Sequence, residues 1–249
     1  MPAASVRAAA GAITFLTRVP LGSAVAVDRR DVARGTVLFP VVGAGVGAAA
    51  GGVAIVVHLW LPALAAAGIA LAGAVVLTGG MHLDALADTC DAIGTSRDRA
   101  LEIMRDSRVG SFGAAAIAFD VLVRAAAVAT LLTRGGAVAA LVAAGGLSRA
   151  ASAPLAVALP YPRSEGGPGS VLTGHVSPLA AVLAVAVSLG IAVLAAGVTG
   201  LAMAGGVAAS TICLGLLYRG WLGGATGDCL GAATEIGETV ALLVAAALA

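Results

Sequence analysis

The chain has 249 residues, of which 60% are hydrophobic and only 11% charged, and its mean hydropathy is +1.04. A soluble domain carries roughly a quarter charged residues, so neither a soluble globule nor a disordered chain fits this composition. A net charge of +1 and an aromatic content of 3% exclude an extended nucleic-acid interface.

The first twenty residues hold a short apolar run broken by Arg18 and Pro20, with no good cleavage site, which argues against a signal peptide. They predict an interfacial helix, so residues 1–35 read as an N-terminal interfacial segment. A membrane-crossing helix needs about 20 mostly apolar residues. Such stretches lie near 36–60, 61–79, 112–133, 135–159, 177–198, 200–218 and 228–249. No barrel-like strand alternation is visible. The expected fold class is therefore an all-α integral membrane protein, a polytopic bundle of about seven transmembrane helices forming one domain over 1–249. Gly43, Gly47 and Gly51 form a small-residue series that predicts a close helix-packing face. Cys90, Cys213 and Cys229 have neither metal-ligand spacing nor a disulfide framework.

All basic residues are arginines, and their placement predicts the sidedness. Arg7, Arg18, Arg29, Arg30 and Arg34 precede the first span. Arg97, Arg99, Arg105 and Arg108 follow the second, Arg163 the fourth and Arg219 the sixth. These loops share one side, the expected cytoplasmic side of the inner membrane. Arg134 stands alone on the other, and Arg124 and Arg149 fall inside spans.

The acids cluster on the arginine-rich side. In the segment GGMHLDALADTCDAIG (79–94), Asp84, Asp88 and Asp91 lie at roughly 0°, 40° and −20° around a helix. Like charges so close repel, and either arginines or a divalent cation could offset them. Oxygen donors with few His or Cys suit Mg²⁺ or Mn²⁺. A solvated acidic face is the bland alternative, but the helix emerges from an apolar span in a charge-poor protein. His82 stands two residues ahead of the stripe and, on a helix, faces away from Asp84. Residues 80–111 thus read as a cytoplasmic catalytic connection.

Farther along, EIMRDSRVGSFG (102–113) places Arg105 and Arg108 three residues apart. Guanidinium groups suit phosphate oxygens; simple topology and pairing with Glu102 and Asp106 would also account for them. Asp120 and Arg124 are four apart within a span and predict a structural pair. The 160–176 loop, with Arg163 and His175, reads mainly as a connection that could touch substrate. In GWLGGATGDCLGAATEIGET (220–239), a Gly-rich turn runs into Asp228, with Glu235 and Glu238 on an acidic face of the last span. Carboxylates within an apolar helix are costly unless they face a polar cavity.

No P-loop and no Ser-His-Asp or Cys-His spacing competes. Phosphoryl transfer depends on positioning and on neutralising charge over phosphate oxygens, which metal-bound carboxylates do. A carboxylate free of metal could accept the proton of an attacking hydroxyl. The residues themselves thus predict an intramembrane Mg²⁺-dependent transferase acting on a pyrophosphate-linked substrate.

At these motifs, with FLTRVP (15–20), GGMHLDALADTCDAIG (79–94), ALEIMRDSRVGSFG (100–113) and GGATGDCLGAATEIGE (223–238), the chain resembles the cobalamin synthase family, the adenosylcobinamide-GDP ribazoletransferases. The likeness runs from about residue 11 to the end, except that Ala85 and Ala92 stand where the family usually has glycine. The resemblance implies attack by a ribose hydroxyl of α-ribazole, or its 5′-phosphate, on the pyrophosphate of adenosylcobinamide-GDP. GMP leaves, and adenosylcobalamin or its 5′-phosphate forms, with Mg²⁺, in the cytoplasmic membrane. On that reading Asp84, Asp88 and Asp91 are the expected catalytic and metal residues, joined at the metal by Glu235 and Glu238. Arg18, His82, Arg105, Asp106, Arg108 and Asp228 are the expected substrate-binding residues. Expected partners are the two small-molecule substrates and the lipid bilayer, without nucleic acid; a homo-oligomer is left open.

Two other readings compete. An alcohol phosphotransferase of the CDP-alcohol type or a prenyl-diphosphate transferase would share Asp-rich motifs, but the expected continuation of those motifs is missing. A transporter coupled through Glu235 and Glu238 would show repeats and interrupted spans, and no convincing repeat occurs.

Overall fold

The structure is a computed structural model that describes residues 3–21, 25–163 and 168–249, and among these the regular elements are all helical. A short apolar helix, α1 (Ala4–Leu16), packs on α2 (Arg29–Gly35), which runs through a 3-10 turn into α3 (Phe39–His58). Asp28 caps α2 in a reciprocal capping box with Asp31. At 13 residues, α1 is too short to cross a bilayer.

Then follow α4 (Ala63–Thr78), α5 (Met81–Ala92), α6 (Arg97–Ile103), α7 (Ser111–Arg134), α8 (Ala137–Ala150) and α9 (Ser152–Ala158). Two long helices, α10 (Pro178–Leu222) and α11 (Gly227–Leu248), close the chain. Among the described residues, five helical stretches are long and apolar enough to span: Arg29–His58, Ser111–Arg134, Ala137–Ala158, Pro178–Leu222 and Gly227–Leu248. The pair α4–α5 passes the same test jointly but bends by 92°.

The 45-residue α10 is two arms rather than one rod. Gly197 has φ 57° and ψ −129°, a conformation that side chains disfavour. A Cβ added to Gly200 would strike the carbonyl of Ala192. Residues eight apart in a straight helix are separated by about 12 Å, so the chain doubles back at Gly197. The return arm ends where Arg219 donates to Ala158 and the Ala225 N–H donates to Pro160. Residues 178–196 and 198–222 therefore each cross the bundle. With the bent pair counted as one crossing, the seven expected spans are accounted for.

Small residues set the helix contacts. Along α3, a Cβ on Gly43 would collide with the carbonyl of Gly145, and one on Gly47 with that of Leu141, while Gly51 rests on Val138. The predicted glycine face is thus the α3–α8 interface, with little room for a side chain. Leu131, Leu141, Val128, Met203 and Leu242 fill the core between α7, α8, α10 and α11. Toward the arginine-rich end, Phe39, Tyr218, Leu222 and Leu230 fill a second core. Leucines and valines on α10, including Leu194 (89% exposed), face outward, as a lipid-facing surface requires.

Candidate active site

Gly79 and Gly80 both take positive φ, 73° and 69°. They end α4 and turn the chain by 92°, so α5 runs across α11 and α7 instead of continuing through the bundle. Its inner face buries His82, Leu86 and Thr89, and its outer face carries Asp84 and half-buried Asp88. Close approach to α11 is made at Ala85, since a Cβ on Gly231 would lie 2.5 Å from the Ala85 methyl. The Ala85 methyl is thus accommodated by the bare backbone of Gly231.

The start of α11 supplies the opposite wall. Thr226 caps it, its hydroxyl accepting from the Cys229 N–H. Asp228, on the first turn, faces the charges of α5. Arg163 approaches Asp228 at 3.6 Å and reaches the Leu101 carbonyl at 3.4 Å. Its Nε is buried without a hydrogen-bond partner. Asp84, Asp88, Asp91 and Asp228 lie close enough to act on one another's charge, with Arg163 beside them. Asp84, Asp88 and Asp228 thus gather at one rim, with Arg163 against Asp228 and Arg18 in the groove beside Asp84.

Two hollows meet at Asp84. A cavity of about 250 Å³ runs inward from Asp84 and Asp228 past Phe15, Phe39, Leu172 and Leu230 to His82, Arg149, Ser152 and Thr234. The rings of Phe15 and Phe39 are stacked, 5.6 Å apart at 11°. A wider groove of about 710 Å³ adjoins it, lined by Thr17, Arg18, Gly79, Gly80, Leu83 and Asp84. Arg18 lies over Gly79, where a Cβ would occupy the space of its guanidinium. Its backbone N–H donates to Leu77.

Not every residue expected at the site is there. Asp91 turns aside from the stripe: its carboxylate accepts from the N–H groups of Gly110 (2.7 Å) and Gly113 (2.8 Å) at the start of α7. A Cβ on either glycine would press on that carboxylate. Asp91 and the glycines of VGSFG therefore form one helix-capping lock. Each of its oxygens accepts one of these bonds, so Asp91 ties α5 to the start of α7.

Glu235 and Glu238 are displaced further. They lie inside the bundle, where Arg124 pairs with Asp120 (3.3 Å), Glu235 and Glu238, and Arg149 pairs with Glu238. The Thr239 hydroxyl donates to Asp120. Every charged member of this cluster is buried. The costly intramembrane carboxylates are met by guanidinium groups of the chain itself, away from the rim where Asp84 and Asp228 lie. The predicted Asp120–Arg124 pair forms as part of this larger cluster.

His82 sits between the two systems. It lines the cavity and shares a hollow of about 20 Å³ with Arg124, Arg149 and Glu235. Arg105, Asp106 and Arg108 line neither the cavity nor the groove. Arg108 is bound to Asp106 through Nε at 3.0 Å, and this holds the exposed Asp106 carboxyl down at about 2. Sequence reasoning placed Arg163 only in a loop that could touch substrate, and it passed over Arg149 and the two phenylalanines. Arg163 had only its place in a Pro- and Gly-rich loop to mark it, and Arg149 only its unexplained charge inside a span.

A family model described as Cobalamin-5-phosphate synthase matches residues 8–246. Two similar proteins, from Escherichia coli O45:K1 (strain S88 / ExPEC) and Escherichia coli (strain K12), are both named "Adenosylcobinamide-GDP ribazoletransferase". Each is 39% identical over 244 residues, covering 93% of this chain and 96% of the relative. No solved structure matches.

Proposed function

The chain belongs to the Cobalamin-5-phosphate synthase family, and on that premise we propose that it carries out the last step of cobalamin nucleotide-loop assembly. It joins adenosylcobinamide-GDP to α-ribazole or its 5′-phosphate and releases GMP. The observation that carries this reading is the pair of unequal hollows meeting at an acidic rim, one hollow for each of two substrates. The arginine-rich face that bears them is the cytoplasmic one, by the excess of arginine in its loops.

The ribose hydroxyl of the ribazole attacks the phosphorus that carries the cobinamide group. One P–O bond forms, the anhydride P–O bond breaks, and GMP departs with the bridging oxygen. Asp84, Asp88 and Asp228 divide two tasks between them, accepting the hydroxyl proton and holding a cation. Arg18 and Arg163, on opposite sides of the rim, present guanidinium groups to the diphosphate. Arg105 and Arg108, on the exposed segment after α6, serve at most the entering or departing nucleotide.

The donor set at the rim fits Mg²⁺: it is oxygen only, and its charges repel one another. Among the described residues no group of three His, Cys, Asp or Glu converges into a cage. Mg²⁺ is commonly bound by one or two carboxylates with water and substrate phosphates. When bound, the ion would screen the charge of the diphosphate. Asp84 and Asp228 at the cavity mouth would hold it.

The test is direct. Purified protein in lipid, supplied with adenosylcobinamide-GDP, α-ribazole and Mg²⁺, releases GMP. Asp88→Asn and EDTA each abolish release while the protein stays folded. Full turnover in Asp88→Asn refutes the role of the rim, and full turnover in EDTA refutes the cation.

A further inference from the structure

Resting on the transferase reading above, we propose that the 250 Å³ cavity seats the aromatic base of the ribazole, with its ribose directed outward to Asp84 and Asp228. Size is the first argument. The cavity lies just below the range of about 300–1,000 Å³ typical of drug-sized ligands. It admits a bicyclic heteroaromatic ring and excludes a corrin macrocycle, which only the open groove could approach.

The polarity of the walls separates a benzimidazole from a guanine. The side walls are apolar, with Phe15, Phe39, Leu172 and Leu230 among them. Of the polar groups at the floor, Ser152, Thr234 and Arg149 are already engaged, which leaves the His82 imidazole to meet a ring nitrogen of the base. The Ser152 hydroxyl donates to the Arg149 carbonyl at 3.1 Å, and the Thr234 hydroxyl donates to the Leu230 carbonyl at 3.0 Å. The Arg149 guanidinium is held by Glu238. A guanine, with donors and acceptors along its edge, would enter and leave several of them unpaired. Dimethylbenzimidazole, the base of ribazole, offers methyl groups to the apolar walls and a single free ring nitrogen. That also gives a physical reason for a site set into the bundle: the base is the apolar part of the nucleophile, and the cavity removes it from water while its sugar stays at the charged rim.

The test separates the cavity from the reaction. With the full chain in lipid nanodiscs, equilibrium dialysis measures binding of free 5,6-dimethylbenzimidazole and of unsubstituted benzimidazole. GMP release gives the two KM values in parallel. The wild type is expected to bind the dimethyl base about tenfold or more tighter than the unsubstituted one, because an apolar pocket discriminates by about that factor. Leu172→Phe and Leu230→Phe, which fill the cavity and do not touch the groove, should weaken that binding about tenfold. They should raise the KM for α-ribazole equally and leave that for adenosylcobinamide-GDP within about twofold. A wild type that binds neither base, or binds both alike, overturns the proposal, as do variants that move both KM values together. Base binding without GMP release would refute the transferase reading and leave the cavity assignment standing.

Discussion

Replacing Arg149 by Met should cost the protein about 3–5 kcal/mol, the range for removing one partner of a buried ion pair. The cluster at the heart of the bundle sets three carboxylates, Asp120, Glu235 and Glu238, against two guanidiniums, Arg124 and Arg149. It carries one negative charge in excess. Arg149→Met leaves three carboxylates facing Arg124 alone, and Glu238 loses one of its two partners, so the cost belongs at the upper end of the range. Glu238→Gln instead balances the charges and keeps a side chain that can hydrogen-bond, so it should cost about 1–3 kcal/mol. The double variant Arg149→Met/Glu238→Met removes both members of a pair and leaves Arg124 with Asp120 and Glu235. Its cost should fall short of the sum of the two single Met variants by about 2 kcal/mol or more. Equilibrium unfolding in mixed dodecyl maltoside and SDS micelles, without substrate and followed by tryptophan fluorescence, gives all the free energies needed. A coupling within about 0.5 kcal/mol of zero would refute the cluster as a stabilising unit.

Four further outcomes follow from named contacts. Asp91→Ala, which strips the cap from α7, should lower stability by about 1–2 kcal/mol. Asp84→Ala should leave the melting temperature unchanged or raise it, because it relieves repulsion, while abolishing GMP release; melting curves and turnover run side by side would expose an equal destabilisation. Gly231→Ala should cost about 1–3 kcal/mol through overpacking against Ala85, and adding Ala85→Gly should restore most of it in the same unfolding assay. Gly47→Val should prevent assembly, since its side chain has nowhere to go but the Leu141 carbonyl. Gly45→Ala, with open space around it, should express and elute as wild type on size exclusion.

Much of this protein was legible from one dimension. The spans were readable because a helix that must hide its backbone in lipid needs a long apolar run, and such a run survives in composition alone. The paired glycines of α3 were readable because close helix contact leaves no other residue possible. The hairpin at Gly197 was legible too, as a break between two adjacent apolar stretches.

The acidic stripe was legible only in part. Helical periodicity placed Asp84, Asp88 and Asp91 on one face, and they are on one face. Periodicity does not say what that face meets. The far end of the stripe meets the start of α7, so Asp91 serves as a cap, while the near end meets Asp228 and Arg163 across a rim. Likewise the charge of Arg124 and Arg149 and the acidity of Glu235 and Glu238 were each visible as an expense within a span. Their mutual settlement was not, because it joins α7, α8 and α11 across distances that no local pattern encodes. Composition and spacing determined that the chain is a membrane bundle with an acidic end. Tertiary packing alone decided which carboxylates are free to do chemistry, because a carboxylate's role depends on whether the nearest positive group belongs to the protein or must come from outside.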